Sequence, residues 1–253
     1  MIKVGMKTIF SIIIWLYWAV CIIFFFFIVA LLYIVTLPID PYNRIPNLAV
    51  KGLAWTMMKA NPGWAFHIKG ADPSKFKKPT IVVANHQSFL DMPLSYMLPW
   101  TMKWVAKKDL FRIPIFGWII SMTGHLSIDR QSSSSVKKLD KLVESIQYGI
   151  PAMIFPEGTR TQDGNLLPFK NGAFKLAKRY NFNILPIVLE GGYQAMPRGS
   201  WKVAVRQNFK LSVLDPINVN EFDSIKELKS TVYSLIGEEL AALRTNEQTI
   251  QRE

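Results

Sequence analysis

The sequence predicts a mixed α/β domain, a largely parallel sheet flanked by helices, with an N-terminal membrane-embedded helical segment. Three features point there. Between Thr8 and Ile39 the chain carries no Asp, Glu, Lys, Arg or His. Behind this run lies a shorter stretch, residues 45–66, in which apolar residues recur at helical spacing. Beyond about Phe66, apolar β-like runs alternate with helical patterns, the order expected of strands and helices wound around a parallel sheet. The 253 residues suffice for one sizeable domain plus an appendage. Half are hydrophobic and the formal charge is +12. Beside a long apolar N-terminus, that balance favours an anionic lipid surface over nucleic acid.

At about 1.5 Å per residue, the apolar run exceeds the roughly 30 Å hydrocarbon core of a bilayer. Lys3 and Lys7 precede it, as in a signal peptide. The run is longer than a signal core, however, and no small-x-small cleavage site follows. A buried core helix is disfavoured because the run is apolar all round. Cys21, the single cysteine, lies inside it, which excludes an intrachain disulfide and a cysteine-based metal site. In residues 45–66, Lys51 and Lys59 sit among apolar positions, and Trp55 and Trp64 suit a headgroup zone. The stretch reads as an interfacial amphipathic helix, a helix packed on the main domain being the alternative. Together these segments form an anchoring unit, 1–68, either transmembrane or a re-entrant hairpin. The domain proper is expected over 69–245, followed by a polar tail at 246–253 that frays.

Within the domain, strands are expected at 80–84, 101–106, 125–128, 152–155, 184–190, 201–205 and 209–214. Helices are expected at 89–97, 113–122, 133–147, 172–180 and 222–243, with the serines at 132–135 placed to cap the third.

His86 stands in Asn85-His86-Gln87-Ser88-Phe89-Leu90-Asp91, directly after the first of these strands. It is therefore at a C-terminal strand end, where open α/β sheets place ligands. Five helical steps turn about 140° past a full revolution, so His86 and Asp91 would not share a face of one helix. They meet if His86 lies in the loop and Asp91, in the first helical turn, reaches back. A carboxylate on one imidazole nitrogen fixes the tautomer and stabilises the imidazolium, leaving the other nitrogen to take a proton from an alcohol. Two further readings stand beside this one. Ser88-x-x-Asp91 resembles a capping box, and Ser88 is a conceivable nucleophile for His86, though without a Gly-x-Ser-x-Gly elbow.

Phe155-Pro156-Glu157-Gly158-Thr159-Arg160 follows another expected strand. Its Pro and Gly demand a sharp turn, and Arg160 would project at the same sheet edge as His86, with a planar fork matched to phosphate. A turn with a surface ion pair is the plainer alternative. Gly124-His125-Leu126-Ser127-Ile128-Asp129-Arg130 is a short strand ending in Asp-Arg. Arg130 either pairs with Asp129 or brings a second positive charge to a phosphate, and His125 reads as structural. Leu185-Pro186-Ile187-Val188 puts a proline where a buried strand admits one only at an edge or bulge, with a role in shaping an apolar wall. Lys170, just before the helix at 172–180, either favours an anion at the helix start or is solvated. The chain has no nucleotide loop of the Gly-x-x-x-x-Gly-Lys-Ser/Thr type and no His-x-x-x-His spacing. No metal or redox cofactor is expected.

Together these four blocks resemble the glycerolipid acyltransferase family, which includes the 1-acyl-glycerol-3-phosphate acyltransferases. The family's His-x-x-x-x-Asp block, often Asn-His-x-Ser-x-x-Asp, is matched by Asn85 to Asp91. Its later blocks are similar to Ile128-Asp129-Arg130, Phe155 to Arg160 and Leu185 to Val188, in the same order. Lys103 to Lys107, Ile113 to Gly117 and Phe169 to Phe174 resemble bacterial members. The likeness runs from about Pro79 to Gly191. His125 and Ser127 depart from the family, where apolar or aromatic residues are common at these positions.

The resemblance implies that His86 is the general base and Asp91 its orienting partner. It implies a glycerol-phosphate site of Arg130, Glu157, Gly158, Thr159 and Arg160, with Asn85, Ser88, Lys107 and Lys170 as further candidates and Pro186 near the acyl chain. The implied reaction moves a fatty acyl group from acyl-CoA or acyl-carrier protein to the sn-2 hydroxyl of 1-acyl-glycerol-3-phosphate (lysophosphatidate), giving phosphatidic acid without an acyl-enzyme. Glycerol 3-phosphate or another lysophospholipid is the alternative acceptor, and a non-catalytic membrane lipid-binding protein is the alternative of another class. No cofactor beyond the thioester co-substrate is implied. A cytosolic donor and a bilayer acceptor put the catalytic domain on the cytoplasmic face of the inner membrane. A single span would then leave the N-terminus outside, which Lys3 and Lys7 resist. A hairpin dipping into one leaflet is the other solution.

Overall fold

The computed structural model describes residues 2–127 and 134–250. Among the described residues, seven strands form one sheet in the order β1-β7-β6-β2-β5-β3-β4. They are β1 (Trp64–Lys69), β2 (Thr80–Ala84), β3 (Lys103–Ala106), β4 (Leu126–Ser127), β5 (Ala152–Ile154), β6 (Asn183–Glu190) and β7 (Gln207–Val213). Neighbours pair parallel throughout, except β6 and β7, which are antiparallel. The sheet is therefore largely parallel, as expected. Its helices are α1 (Ile2–Thr36), α2 (Arg44–Lys59), α3 (Asp91–Ser95), α4 (Phe116–Met122), α5 (Ser134–Gln147), α6 (Gly172–Tyr180), α7 (Gly192–Ala195) and α8 (Ile225–Ile250).

The period of two along the central strands divides the core in two. Val82 and Ala84 of β2 and Leu185, Ile187 and Leu189 of β6 join Trp18 of α1, Val50 and Met57 of α2, Leu94 of α3 and Ile119 of α4. Ile81, Val83, Ile184 and Val188 join Leu142 of α5, Phe174 of α6 and Val232 of α8. Helices α1 to α4 thus cover one face, and α5, α6 and α8 the other. Covered on both faces, β2 is buried at every residue, which is why it reads as an unbroken apolar run.

Pro186 sits in β6 opposite Val83, on the second face. Its carbonyl accepts the N–H of Leu214 at 3.0 Å. Proline returns no hydrogen bond, and Lys75 Nζ takes the Leu214 carbonyl instead at 2.9 Å. The β6–β7 ladder ends there, so the proline marks the end of a pairing within a central strand.

Three expectations are corrected. The helix expected over 45–66 stops at Lys59, and Trp64–Lys69 is edge strand β1, paired with β7. The expected boundary at 68 therefore falls inside a strand. Residues 201–205 form no strand, because their polar backbone atoms are taken elsewhere: Val203 N–H by Ser11 Oγ, the Ala204 carbonyl by Trp64 Nε1, the Val205 carbonyl by Asn61 Nδ2. Helix α8 continues past 246 to Ile250.

α1 lies against the domain along much of its length. Near its start, Ser11 bonds Val203, and Trp15 Nε1 donates to the Trp201 carbonyl at 2.7 Å. Further on, Trp18 Nε1 donates to the Met57 carbonyl, and Phe26 meets Trp118 of α4 with ring centroids 5.8 Å apart. Its outer side leaves Ile9, Ile13, Leu16, Val20, Phe24 and Phe27 exposed. Among the described residues, the segment from Gly5 to Thr36 is the one helix long and apolar enough to cross a membrane. α2 buries Val50, Leu53 and Met57 against α1 and the domain and leaves Leu48 and Trp55 exposed, so it both packs and presents apolar surface.

Candidate active site

The loop after β2 is held by its own polar atoms. The Asn85 amide donates to the Leu189 carbonyl and accepts the Leu189 N–H, each at 2.8 Å, which ties the loop to the end of β6. Asp91 opens α3 with its carboxylate turned back on the loop. Its Oδ2 lies 2.8 Å from His86 Nδ1 and accepts the N–H of Gln87 at 2.6 Å and of Ser88 at 2.8 Å. The pairing and the capping readings are thereby reconciled: Asp91 caps the loop, not the helix, and in doing so meets His86. Asp91 Oδ1 is buried and has no hydrogen-bond partner among the described residues. A side chain on Gly192 would come within 2.6 Å of it, so Gly192 is required for this approach.

His86 is the exposed end of the pair, 18% accessible against 0% for Asp91. Phe155 stacks on its ring at 4.0 Å and 15°. With Nδ1 on the carboxylate, Nε2 is the nitrogen left for a substrate proton. Ser88 is fully buried and its Oγ donates to the Met196 carbonyl at 2.7 Å, so Ser88 serves the loop and is no nucleophile.

The turn after β5 locks onto the His86 loop. Glu157 Oε1 accepts the His86 N–H at 2.7 Å and Oε2 the Leu167 N–H at 3.0 Å, while Thr161 N–H donates to the His86 carbonyl at 2.9 Å. Glu157 thus braces the His86 loop, each carboxylate oxygen accepting one backbone N–H. Burial raises its pKa to about 7, against the pull of the two N–H bonds. Gly158 adopts φ +70°, which turns the chain sharply, and leaves Thr159 and Arg160 on the wall of a cavity of about 210 Å³ that His86 also lines.

The same cavity brings in Lys107, Phe89, Leu110 and Arg198. Arg198 Nη1 donates to the Arg160 carbonyl at 3.2 Å. It was missed because its segment, Met196 to Gly199, carries no motif and reaches the site only through the fold. Two guanidinium groups and an ammonium therefore ring the space before His86, a donor set matched to a phosphate. Lys170 lies behind Gly158, where a Cβ would come within 2.6 Å of its Nζ. Arg130 lies outside the described residues. Pro186 lines neither this cavity nor the apolar one beside it. That second cavity is walled by Val50, Met57, Phe89, Met92, Phe116 and Ile119. Among the described residues, no three His, Cys, Asp or Glu side chains gather as a metal site would need.

His125 is buried and structural, as expected. Its Nδ1 accepts the Trp104 N–H at 3.1 Å, and its Nε2 lies 3.1 Å from Tyr96 Oη, which donates to Asn47 Oδ1.

A family model described as Acyltransferase matches residues 65–190, a span that contains His86, Asp91, Glu157 and Arg160. A 1-acyl-sn-glycerol-3-phosphate acyltransferase of Haemophilus influenzae is 31% identical over 64% of this chain and 69% of its own length. The chain belongs to the acyltransferase family. The chloroplastic 1-acyl-sn-glycerol-3-phosphate acyltransferase LPAT1 of Arabidopsis thaliana is 35% identical over 73% of this chain and 52% of its own length. An enzyme of the same description from Chlamydomonas reinhardtii is 37% identical over 64% and 49%. The chain thus spans about half the length of these plant and algal relatives. The crystal structure of the 1-acyl-sn-glycerophosphate acyltransferase PlsC from Thermotoga maritima superposes with a TM-score of 0.79, covering 94% of this chain and 98% of that one at 24% identity. That likeness carries the fold, including the N-terminal helices.

Proposed function

We propose that this acyltransferase moves a fatty acyl group from a thioester, of coenzyme A or acyl-carrier protein, to the sn-2 hydroxyl of 1-acyl-glycerol-3-phosphate. The observation that carries the reading is the His86–Asp91 pair at the wall of a cavity shared with Arg160, Arg198 and Lys107. The relatives' names agree with it. The acceptor phosphate lies among the three cations, which brings its hydroxyl to His86. Nε2 takes the hydroxyl proton as the oxygen attacks the thioester carbonyl, and Asp91 stabilises the imidazolium. The C–O bond forms, the C–S bond breaks, and the proton passes from His86 to the departing thiolate. The acyl chain begins along the apolar wall between α2, α3 and α4, where a small cavity of about 50 Å³ shares Phe89, Met92 and Trp104 with the site.

The membrane reading follows from α1. Contacts at Ser11 and Phe26 lie about 22 Å apart along the helix axis, and both are made with the same domain. A helix crossing the bilayer would carry one of them out of the domain's reach. This supports the reading that α1 and α2 lie in one leaflet, apolar side inward, with the domain on the cytoplasmic face. Accessibility of a cysteine introduced at position 2 tests this: labelling from outside the cell would restore the single span.

The activity test is transfer of labelled acyl groups from acyl-CoA and from acyl-carrier protein to lysophosphatidate by purified protein. Product with neither donor would sink the reading. Product with glycerol 3-phosphate and none with lysophosphatidate would move it to the other acceptor.

A further inference from the structure

A further carboxylate, Glu190 at the end of β6, is buried behind the His86 loop with 1% of its surface exposed. Its three donors come from three segments. Gln87 Nε2 of the His86 loop donates to Oε2 at 2.8 Å, Gln194 Nε2 of α7 to Oε1 at 3.0 Å, and Arg244 Nε of α8 to Oε2 at 3.2 Å. Arg244 also reaches the opposite side of the site. Its Nη2 donates to the Gly164 carbonyl at 2.6 Å, and the Gly164 N–H donates to Thr161 Oγ1 at 3.2 Å. Thr161 is the residue whose N–H holds the His86 carbonyl. One guanidinium of the C-terminal helix therefore ties together both segments that grip the histidine loop. Gln87 is equally buried. Its Oε1 accepts the Tyr193 N–H at 3.4 Å, and its own N–H makes the shortest of the bonds to Asp91 Oδ2, at 2.6 Å.

We propose that Glu190, oriented by Arg244, is a positioning residue for acyl transfer: it holds Gln87 and thereby fixes Asp91 against His86. The inference rests on the acyltransferase reading and extends that site to the C-terminal helix. Energetics favour it. Burying a carboxylate is costly, and its pairing with an arginine returns little more stability than a well-packed apolar side chain would. What the carboxylate adds is direction, since two oxygens in one plane set the places of three donors. Placement favours it as well. Leu189 grips the Asn85 amide and Glu190 grips Gln87, so consecutive positions of β6 fix the residues on either side of His86. Buried beneath its donors, Glu190 meets no substrate and acts through Gln87 alone.

The test uses the full-length chain in detergent or vesicles, with Glu190→Leu, Glu190→Gln, Gln87→Met and the double variant of Glu190→Leu with Gln87→Met. Leucine removes every acceptor. Glutamine can place its oxygen where Oε2 stood, which keeps Gln87 and Arg244, while Gln194 turns its amide over. In Glu190→Leu, kcat is expected to fall about tenfold with the lysophosphatidate KM unmoved, and in Glu190→Gln to return to within about threefold of the parent. Gln87→Met is expected to match Glu190→Leu, and the double variant to fall no further than either. A role in the fold alone would lower the unfolding midpoint and leave the kcat of the folded fraction unchanged, which would overturn the proposal. Additive losses in the double variant would also overturn it. If Glu190→Leu fails to fold with Arg244 left unpaired, the same readouts are taken with Arg244→Met added, which removes both charges. The ¹⁵N resonance of His86 Nδ1 is followed alongside, as a readout that needs no turnover. If the parent transfers no acyl group, the function reading fails. The positioning role then stands if this resonance moves in the leucine variant and stays parental in the glutamine variant, and falls if it moves in neither.

Discussion

His86 and His125 are both held by polar partners and stacked on an aromatic ring, yet they are built for opposite ends. His125 is 5% exposed and uses both nitrogens on neutral groups of the fold. Burial, aided by Lys103, pushes its pKa down to about 3, so it stays neutral. His86 gives one nitrogen to a buried carboxylate and keeps the other at a cavity wall. The difference lies in the partners. A carboxylate gains when the ring takes a proton, while a backbone N–H and a phenol gain nothing. The two histidines share a residue type, but only His86 has been given a reason to change its charge.

The largest test of that contrast is alanine at each position. His86→Ala is expected to lower kcat by about 10²–10⁴-fold with little change in thermal stability. His125→Ala is expected to do the reverse. It strands the Trp104 N–H, takes one of its two partners from the Tyr96 hydroxyl and leaves a cavity, costing about 2–4 kcal/mol of stability, while the folded fraction keeps its kcat. Chemical denaturation beside steady-state kinetics separates the two. If His125→Ala abolished turnover without loss of stability, the contrast would be broken.

Asp91→Asn comes next, at about 100-fold in kcat, because an amide accepts the loop N–H groups but cannot stabilise the imidazolium. The thermal unfolding midpoint discriminates: a parental midpoint beside the fall in kcat marks lost chemistry, whereas a lowered midpoint in step with the lost activity would mark a loosened loop. Gly192→Ala should cost about tenfold. The added methyl presses on Asp91 Oδ1 and tilts the carboxylate from His86. A Gly192→Ala protein with parental kcat would mean that Asp91 adjusts freely.

How far all this was legible in the chain follows the range of the interactions. β2 and α6 were read to the residue, since an unbroken β-branched run and a short amphipathic repeat are local signals. The meeting of His86 with Asp91 was legible too, because five residues and a turn suffice to build it. β1 was not, although Asn61-Pro62-Gly63 marks a break before it. Trp64 and Phe66 continue the apolar spacing of α2, and pairing with β7 some 140 residues later is what decides the strand. Residues 201–205 look like a strand and are diverted by side chains of Ser11, Trp64 and Asn61. Arg198 and the bracing role of Glu157 depend on contacts between distant segments, which no local pattern announces.

Glu157 extends the contrast to the carboxylates, with an effect on stability rather than on turnover. Asp91 is a charge held for His86; Glu157 is a brace whose charge is disfavoured by burial. Its pKa rises from 4.5 to about 7 in the folded chain. Between those values the folded chain keeps a proton that the unfolded chain has lost. This contribution to stability is therefore full below about pH 4.5 and is lost as pH rises through about 7, with a slope of at most about 1.4 kcal/mol per pH unit. Glu157→Gln carries no such proton, so its unfolding midpoint should lose this slope across the same window. At low pH the parent should be the more stable of the two, because the Gln side chain accepts only one of the two N–H bonds that hold His86 and Leu167. If the variant kept the parent's slope, the titrating group would lie elsewhere, and Glu157 would be a brace that stays charged throughout.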